Sequence, residues 1–446
     1  MSAKPEYVTM KRLFLFFIPL GLSALLINLS HAIINGTLAR AANPELIIAG
    51  YATAMSLLTV TERPAVLFRE TCSALVRDRR SFAAVRQVAF IVFGASLIFG
   101  ALVAYSPVGT WIFGGAYGAD PETTEASTDV YAVLMFLSVF SGIRCLYQGI
   151  IIYKMRTKWL TIGMLFRLGG MFALSQYILH VGVSHSRQGA IIFVFGMVIE
   201  AAVSWLEGRK LAKELPDSAS DCEIRRPKQV LNFYSPLLFS SFIVVWVPPI
   251  LNALLGHTDQ GALSIASLSL ANSFMGLVLG FFTYFHQISL QFHRTHPHLV
   301  KRFVLWMAFV PGVIVASFAY TSAGEWVFAS VFGVKGALLE SSVHALRAFL
   351  PYVLVFPWLD SVNGIILSRS QTKLMFGSQT ANAAVTVALI VTLTLALPQW
   401  AGALAALSQS GGIAAELLVL LWLIRRYSRG ESNDKLSILP SKERQA

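Results

Sequence analysis

Seven ionisable side chains interrupt stretches of sequence that are otherwise apolar: Glu62, Arg63, Arg144, Arg167, Glu200, Asp360 and Glu416. A charge within an apolar helix is costly, so such residues face a polar interior, pair with one another or serve an ion path. Arg144 and Asp360 fall at nearly matching places of the repeat described below. Opposite charges there can latch one conformation, or Asp360 can bind a coupling cation. The plainer alternative is a structural pair within one half. Glu416 is a lone carboxylate in GGIAAELLVLL and a candidate proton carrier, unless Arg347 or Arg167 holds it as a structural partner. Glu62-Arg63-Pro64 breaks the run SLLTVTERPAVLF. Adjacent side chains on a helix diverge, so one of this pair is expected at a cavity and the other against a neighbouring helix.

Uncharged polar residues form a second set. In LINLSHAIIN, Asn28, His31 and Asn35 recur at spacings of three and seven, which puts them on one helical face. A lipid-facing helix has no use for that face. It is expected to line a cavity together with Asn252 and Asn272, and Ser264, Ser267 and Ser273 lie nearby in sequence. The alternative is that these groups bond helix to helix. His286, His293, His296 and His298 lack the spacing of a metalloprotease motif and have no cysteine partner, so no metal site is expected. Cys72, Cys145 and Cys222 are odd in number and far apart, which fits neither a disulfide framework nor a zinc site.

The elements that must carry these residues follow from composition. Of the 446 residues, 55% are hydrophobic and 13% charged, with a mean hydropathy of +0.64. A soluble chain is about one quarter charged. Twelve apolar runs long enough to cross a bilayer can be marked: 13–38, 46–70, 88–108, 130–153, 159–182, 188–206, 231–255, 262–290, 303–321, 342–367, 374–397 and 401–424. They are called spans 1 to 12. The net charge of +12 is an orientation signal rather than a nucleic-acid footprint. With the N-terminus in the cytoplasm, the outer loops hold only Arg40, Arg187 and Lys335 of the 35 lysines and arginines, and five more lie within spans. This is the positive-inside pattern, and it puts both termini in the cytoplasm. No Walker loop and no nucleophile elbow occurs, so energy must come from an ion gradient, from the substrate gradient or from a partner, and no enzyme activity is expected.

The chain reads as a duplication. Pro19-Leu20 matches Pro236-Leu237, Asn35 matches Asn252, and Ala54 and Ser56 match Ala271 and Ser273, all at an offset of 217. Trp111 matches Trp326, Gly149-Ile150-Ile151 matches Gly364-Ile365-Ile366, and Thr157-Lys158 matches Thr372-Lys373, all at 215. An even number of spans per half makes the repeat parallel, with its pseudo-two-fold axis along the membrane normal. The expected fold is an all-α integral membrane protein of twelve transmembrane helices in two pseudo-symmetric six-helix lobes. The N-terminal lobe covers 1–206 and the C-terminal lobe 230–429, joined by a cytoplasmic linker at 207–229 and followed by a disordered tail at 430–446. Pro248-Pro249 in span 7 is expected to kink that helix.

FFIPLG (Phe16–Gly21), AIINGTLAR (Ala32–Arg40) and AGYATAMSL (Ala49–Leu57) resemble the opening spans of the progressive ankylosis family. LYQGIIIYKMRTK and GALAALSQSGGIAAELLVL extend the likeness. The wider relatives are the multidrug and toxin extrusion (MATE) transporters and the lipid-linked oligosaccharide flippases, together the MOP superfamily. The resemblance implies a V-shaped pair of lobes working by alternating access, and export of a solute. Ankylosis-type proteins are associated with efflux of small polyanions. The function expected is an alternating-access exporter of a small solute, anionic or drug-like, in the plasma membrane, driven by H+ or Na+ and acting as a monomer without a bound cofactor. Its rivals are a flippase for a lipid-linked saccharide and a membrane scaffold that transports nothing.

Overall fold

A computed structural model describes residues 8–38, 40–41, 44–117, 120–219, 224–256, 261–332, 335–396, 400 and 402–438. No strand occurs among them, and each of the twelve expected spans falls on helix. Nine of the described helices are long and apolar enough to cross a membrane: Met10–Leu38, Arg79–Tyr105, Pro121–Tyr153, Lys158–Val181, Arg187–Lys213, Pro297–Ala319, Ala337–Ser368, Lys373–Ala396 and Gly402–Arg426. Spans 2, 7 and 8 are supplied by Leu46–Thr61 with its continuation, by Pro227–Gly256 and by Ser267–Gly280 with the helix that follows it. The chain is therefore a multi-pass membrane protein.

Span 2 is broken as its sequence requires. Helix runs over Pro44–Thr61, resumes over Arg63–Val66 and again over Phe68–Leu75, with Glu62 and Leu67 at the breaks. Pro64 has no N–H to give to Val60, and its ring crowds that carbonyl. Span 3 starts at a capping box. Ser81 donates its backbone N–H to the Asp78 carboxylate at 2.7 Å, and the Asp78 N–H donates to the Ser81 hydroxyl at 3.1 Å. The Ala219 N–H also donates to Asp78, at 2.9 Å. Burial opposes the charge on Asp78, but these N–H groups and the Ser81 hydroxyl outweigh it and hold its pKa below the usual carboxylate range. The Arg79 guanidinium meets Asp217 and the Lys213 carbonyl. The first residues of the expected linker are thus fastened to the start of span 3.

Two expectations fall on described helices. Span 7 is helical through residues 248–249, where the kink is expected; local adjustment and neighbouring groups can absorb missing donors in a membrane helix. The side chains of those prolines lie outside the described residues. The last helix continues to Ile438, into the stretch expected to be disordered, because extending an existing helix needs no new nucleus. Residues 439–446 lie outside the described set.

The duplication is visible in local geometry at an offset of 215. The hydroxyls of Ser106 and Thr321 accept from the N–H groups of Val108 and Ala323, each at 3.3 Å, and so cap equivalent short helices. A Cβ on Gly109 would strike the Val103 carbonyl oxygen, and one on Gly324 the equivalent Phe318 oxygen. Both segments then pass into π-helix, at Trp111–Ala116 and Val327–Val331. Met155 and Ser370 are each left-handed, with φ of 59° and 56°. Two half-chains that share this many unusual details are built on one plan.

Two compact units result: Met1–Leu238 with Gly280–Phe303, and Phe239–Leu279 with Val304–Ala446. The division falls within span 7 rather than at the linker, because 280–303 and the first part of span 7 pack on spans 1 and 2. Phe17 is ringed by Phe281, Phe282, Phe285 and Phe303, and Tyr234 stacks on Phe68. The core of unit 1 gathers Ile34, Tyr51, Leu134, Met171 and Phe193. That of unit 2 gathers Leu251, Phe274, Phe328, Phe349 and Leu404.

Candidate functional site

In unit 1 the buried charge centres on Glu200 of span 6, which is 2% exposed. Arg144 of span 4 approaches one carboxylate oxygen at 3.2 Å, and Arg167 of span 5 approaches the other at 2.9 Å. Gln148, one turn beyond Arg144, donates to the first oxygen at 3.0 Å. Glycines allow the approach: Gly196 lies against Met171 and the Arg167 side chain, and Gly163 against Glu200. The Arg167 guanidinium lies over the Phe193 ring, 5.1 Å from its centroid. His31 meets the same ring at 5.4 Å, and the Arg167 charge reaches both His31 and Tyr51. Arg69, also buried, adds a third positive charge that interacts with Arg144 and Glu200. The Nε atoms of Arg69, Arg144 and Arg167 and the Nη2 of Arg167 are buried donors with no hydrogen-bond partner among the described residues. One buried carboxylate against three arginines leaves an excess of positive charge and of unused N–H groups, which is the chemistry that receives an anion.

In unit 2, Glu416 of span 12 is 4% exposed. Its carboxylate accepts from Asn382 Nδ2 at 2.6 Å, and Asn382 in turn accepts from Thr386 at 3.1 Å. Asp360 of span 10 is close enough to act electrostatically on Glu416, which acts likewise on Tyr352. Two carboxylates and neutral amides in an apolar bundle form a place for a proton or a small cation.

The two clusters are copies. Arg167 and Asn382 are 215 apart, as are Gln148 and Asn363; the same offset takes Arg144 to Leu359, the residue before Asp360, and Glu200 and Glu416 are 216 apart. Each half keeps the glutamate. The Arg167 position of unit 1 is occupied in unit 2 by an amide and the Arg144 position by Leu359, with Asp360 beside it, so unit 2 lacks both arginines.

The predicted site residues distribute as follows. His31 and Arg144 belong to the unit 1 cluster, and the half-buried Glu62, at the break in span 2, interacts with Arg144. Arg63 is half-buried at the same break, and Asn35 is exposed. Asp360 and Glu416 belong to the unit 2 cluster, and Asn272 is exposed in that unit. The side chains of Asn28 and Asn252 lie outside the described residues. Arg144 finds its partner inside unit 1, in Glu200, where a latch to Asp360 had been considered. Glu416 meets Asn382 rather than an arginine, because Arg167 is taken by Glu200 and Arg347 donates to the Ala319 carbonyl at 2.8 Å. Sequence reasoning missed Arg69, Gln148 and Asn382. Arg69 stands in the last turn of span 2, where a basic residue reads as snorkelling to the surface. A signal for Gln148 was its spacing of four from Arg144.

Comparison with solved structures fixes the architecture. A MOP superfamily transporter from Pyrococcus furiosus Vc1 (DSM3638), described as having a binding pocket of reverse polarity, aligns with a TM-score of 0.73 at 15% identity over 94% of this chain and 96% of that one. A multidrug resistance MATE family transporter in its outward-facing conformation aligns with 0.73 at 14%, covering 95% and 97%. A MATE protein in a bent conformation gives 0.73 at 14%, covering 95% and 96%. The fold is that of the MOP superfamily transporters. No family model and no curated protein matches the chain. The MOP fold accounts for the twelve spans and the repeat, and within that fold the two diverged clusters are features of this sequence.

Proposed function

We propose that this protein is an alternating-access exporter of a small anion, coupled to a proton or cation gradient. The observation that carries the reading is the unit 1 cluster, in which two buried arginines flank one buried carboxylate, a third buried arginine lies within electrostatic reach, and guanidinium donors are left unused. His31, and Glu62 at the break in span 2, stand beside it. Asn28, Asn35, Arg63, Asn252 and Asn272 extend the proposed passage. Asp360 and Glu416, with Asn382, supply the coupling site. The solved neighbour whose pocket has reversed polarity is a precedent for a MOP fold with altered pocket charge. The Lys and Arg distribution supports a plasma-membrane setting with both termini in the cytoplasm. The protein acts by binding and release rather than catalysis, as a monomer in the bilayer. Coupling needs only a few kcal/mol of differential affinity between the two conformations.

The test is flux in proteoliposomes. Inorganic pyrophosphate, citrate and a nucleotide are compared with cationic drugs, with and without a pH or sodium gradient. Gradient-dependent movement of an anion, lost in Arg167→Gln, supports the reading. Movement of cationic drugs alone, or of a lipid-linked saccharide alone, overturns it.

A further inference from the structure

The tightest aromatic packing in unit 1 joins residues from the two halves of the repeat, and it does so reciprocally. Phe17 of span 1 meets Phe285 of span 8, with ring centroids 5.4 Å apart. Tyr234 of span 7 stacks on Phe68 of span 2 at 4.8 Å. Adding 217 to Phe17 gives Tyr234, and adding 217 to Phe68 gives Phe285. One contact is therefore the symmetry mate of the other, the signature of an isologous interface about a two-fold axis. Polar contacts follow the same seam. Arg69 donates to the Tyr284 hydroxyl and lies over its ring. Tyr234 donates to the Pro64 carbonyl at 2.8 Å, where span 2 is broken. His286 lies 3.8 Å from Glu70. Phe14 on Phe303 and Phe16 on Phe292 complete the plug.

We propose that this reciprocal aromatic plug is a gate that seals one end of the passage and separates in every transport cycle. The inference rests on the exporter reading. Two further features of the seam make it suited to opening. Its core is built of ring contacts, which release without leaving buried charge. Its polar part is anchored at Pro64, beside the breaks at Glu62 and Leu67, where span 2 can bend without losing further backbone hydrogen bonds. Arg69 ties the gate to the anion cluster through its interaction with Arg144 and Glu200.

The test uses the full chain with Cys222→Ser, leaving the buried Cys72 and Cys145 in place. Spin labels at the exposed positions Lys11 and Arg302 flank the plug and report its state in liposomes whether or not flux is seen. Two distance populations are expected, with the shorter one depleted about tenfold by Phe17→Ala, as a few lost ring contacts predict, and likewise by Phe285→Ala. A single distance distribution, unmoved by either variant, overturns the gate. In a second arm, Phe17→Cys and Phe285→Cys are joined by a short bifunctional thiol reagent. Loss of flux in the joined protein, measured against the residual flux of the same variant before reaction, supports the gate, and flux unchanged by joining overturns it. Absence of flux in the wild type would count against the exporter reading instead, and the label distances would still decide the gate.

Discussion

Glu200→Gln separates the two demands placed on the unit 1 cluster, stability and anion binding, because it moves them in opposite directions. The carboxylate holds Arg144 at 3.2 Å and Arg167 at 2.9 Å, and all three side chains are nearly inaccessible. At an effective dielectric of about 20, each unit-charge pair at about 4 Å is worth about 4 kcal/mol. Desolvation offsets much of that in the intact cluster, but removing the anion leaves both cations buried without compensation, which costs about 3–5 kcal/mol. Glutamine preserves the shape and one acceptor, so packing loss adds little. The midpoint of thermal unfolding in detergent should fall on the order of 10 °C. The same substitution frees the arginines from their internal competitor. Added pyrophosphate or citrate should then raise the midpoint of the variant more than that of the wild type, since a ligand stabilises in proportion to how strongly it binds the folded state. A choline salt series at matched ionic strength controls for screening. A fall of less than 1 kcal/mol, or equal anion stabilisation of both proteins, would refute the claim that Glu200 neutralises a cluster otherwise open to anions.

The other predictions concern the coupling site and the linker. Asp360→Asn and Glu416→Gln should each abolish the dependence of anion flux on a proton or sodium gradient, while flux down the substrate's own gradient persists; retention of full gradient dependence in both would remove the coupling assignment. Their stability should change little, because the Asn382 amide can still bond a glutamine side chain. Asp78→Ala removes the cap of span 3 and the tie to Ala219, at a cost of about 1–2 kcal/mol, read from the unfolding midpoint. The Asp78 pKa is depressed in the folded protein, so its contribution is complete above the unfolded value of about 4 and is lost as pH falls through the folded one. The difference between wild type and Asp78→Ala should therefore be constant above about pH 5 and shrink below about pH 4. A difference that grows on acidification would contradict the cap.

Helix positions were legible because the length of an apolar run bears directly on the need to satisfy every backbone group in a bilayer. The break in span 2 could be read for a similar reason, since Pro64 acts through its own covalent structure. Partners were harder. Arg144, Arg167, Glu200, Asp360 and Glu416 could all be named as buried charges, but which carboxylate meets which arginine depends on helix neighbours and rotation. A rotation of 100° per residue is enough to send Arg144 to Glu200 rather than along the path considered for Asp360. Asn382 carried no charge to mark it, and Arg69 stood at the end of a span. The unit boundary was also hidden, because the aromatic residues that draw 280–303 onto span 1 look in sequence like any other apolar surface.

The repeat explains more than the architecture. Duplication gave each half a glutamate in its sixth span, with polar residues facing it from the fourth and fifth. In one half those neighbours are Arg144 and Arg167, and in the other they are Asp360 and Asn382. In the first cluster the arginines outnumber the one buried carboxylate, an imbalance that an apolar interior tolerates poorly. On the proposed reading, an anion at the first reduces that imbalance, and a proton or cation binds at the carboxylates of the second. A conformational equilibrium that changes the exposure of both sites is then biased by both ligands, and by linkage each ligand alters the other's affinity through that shared equilibrium. Coupled transport on this fold requires no wire between the clusters. On the proposed reading it requires only two polar sites of related position whose ligands bias one conformational equilibrium.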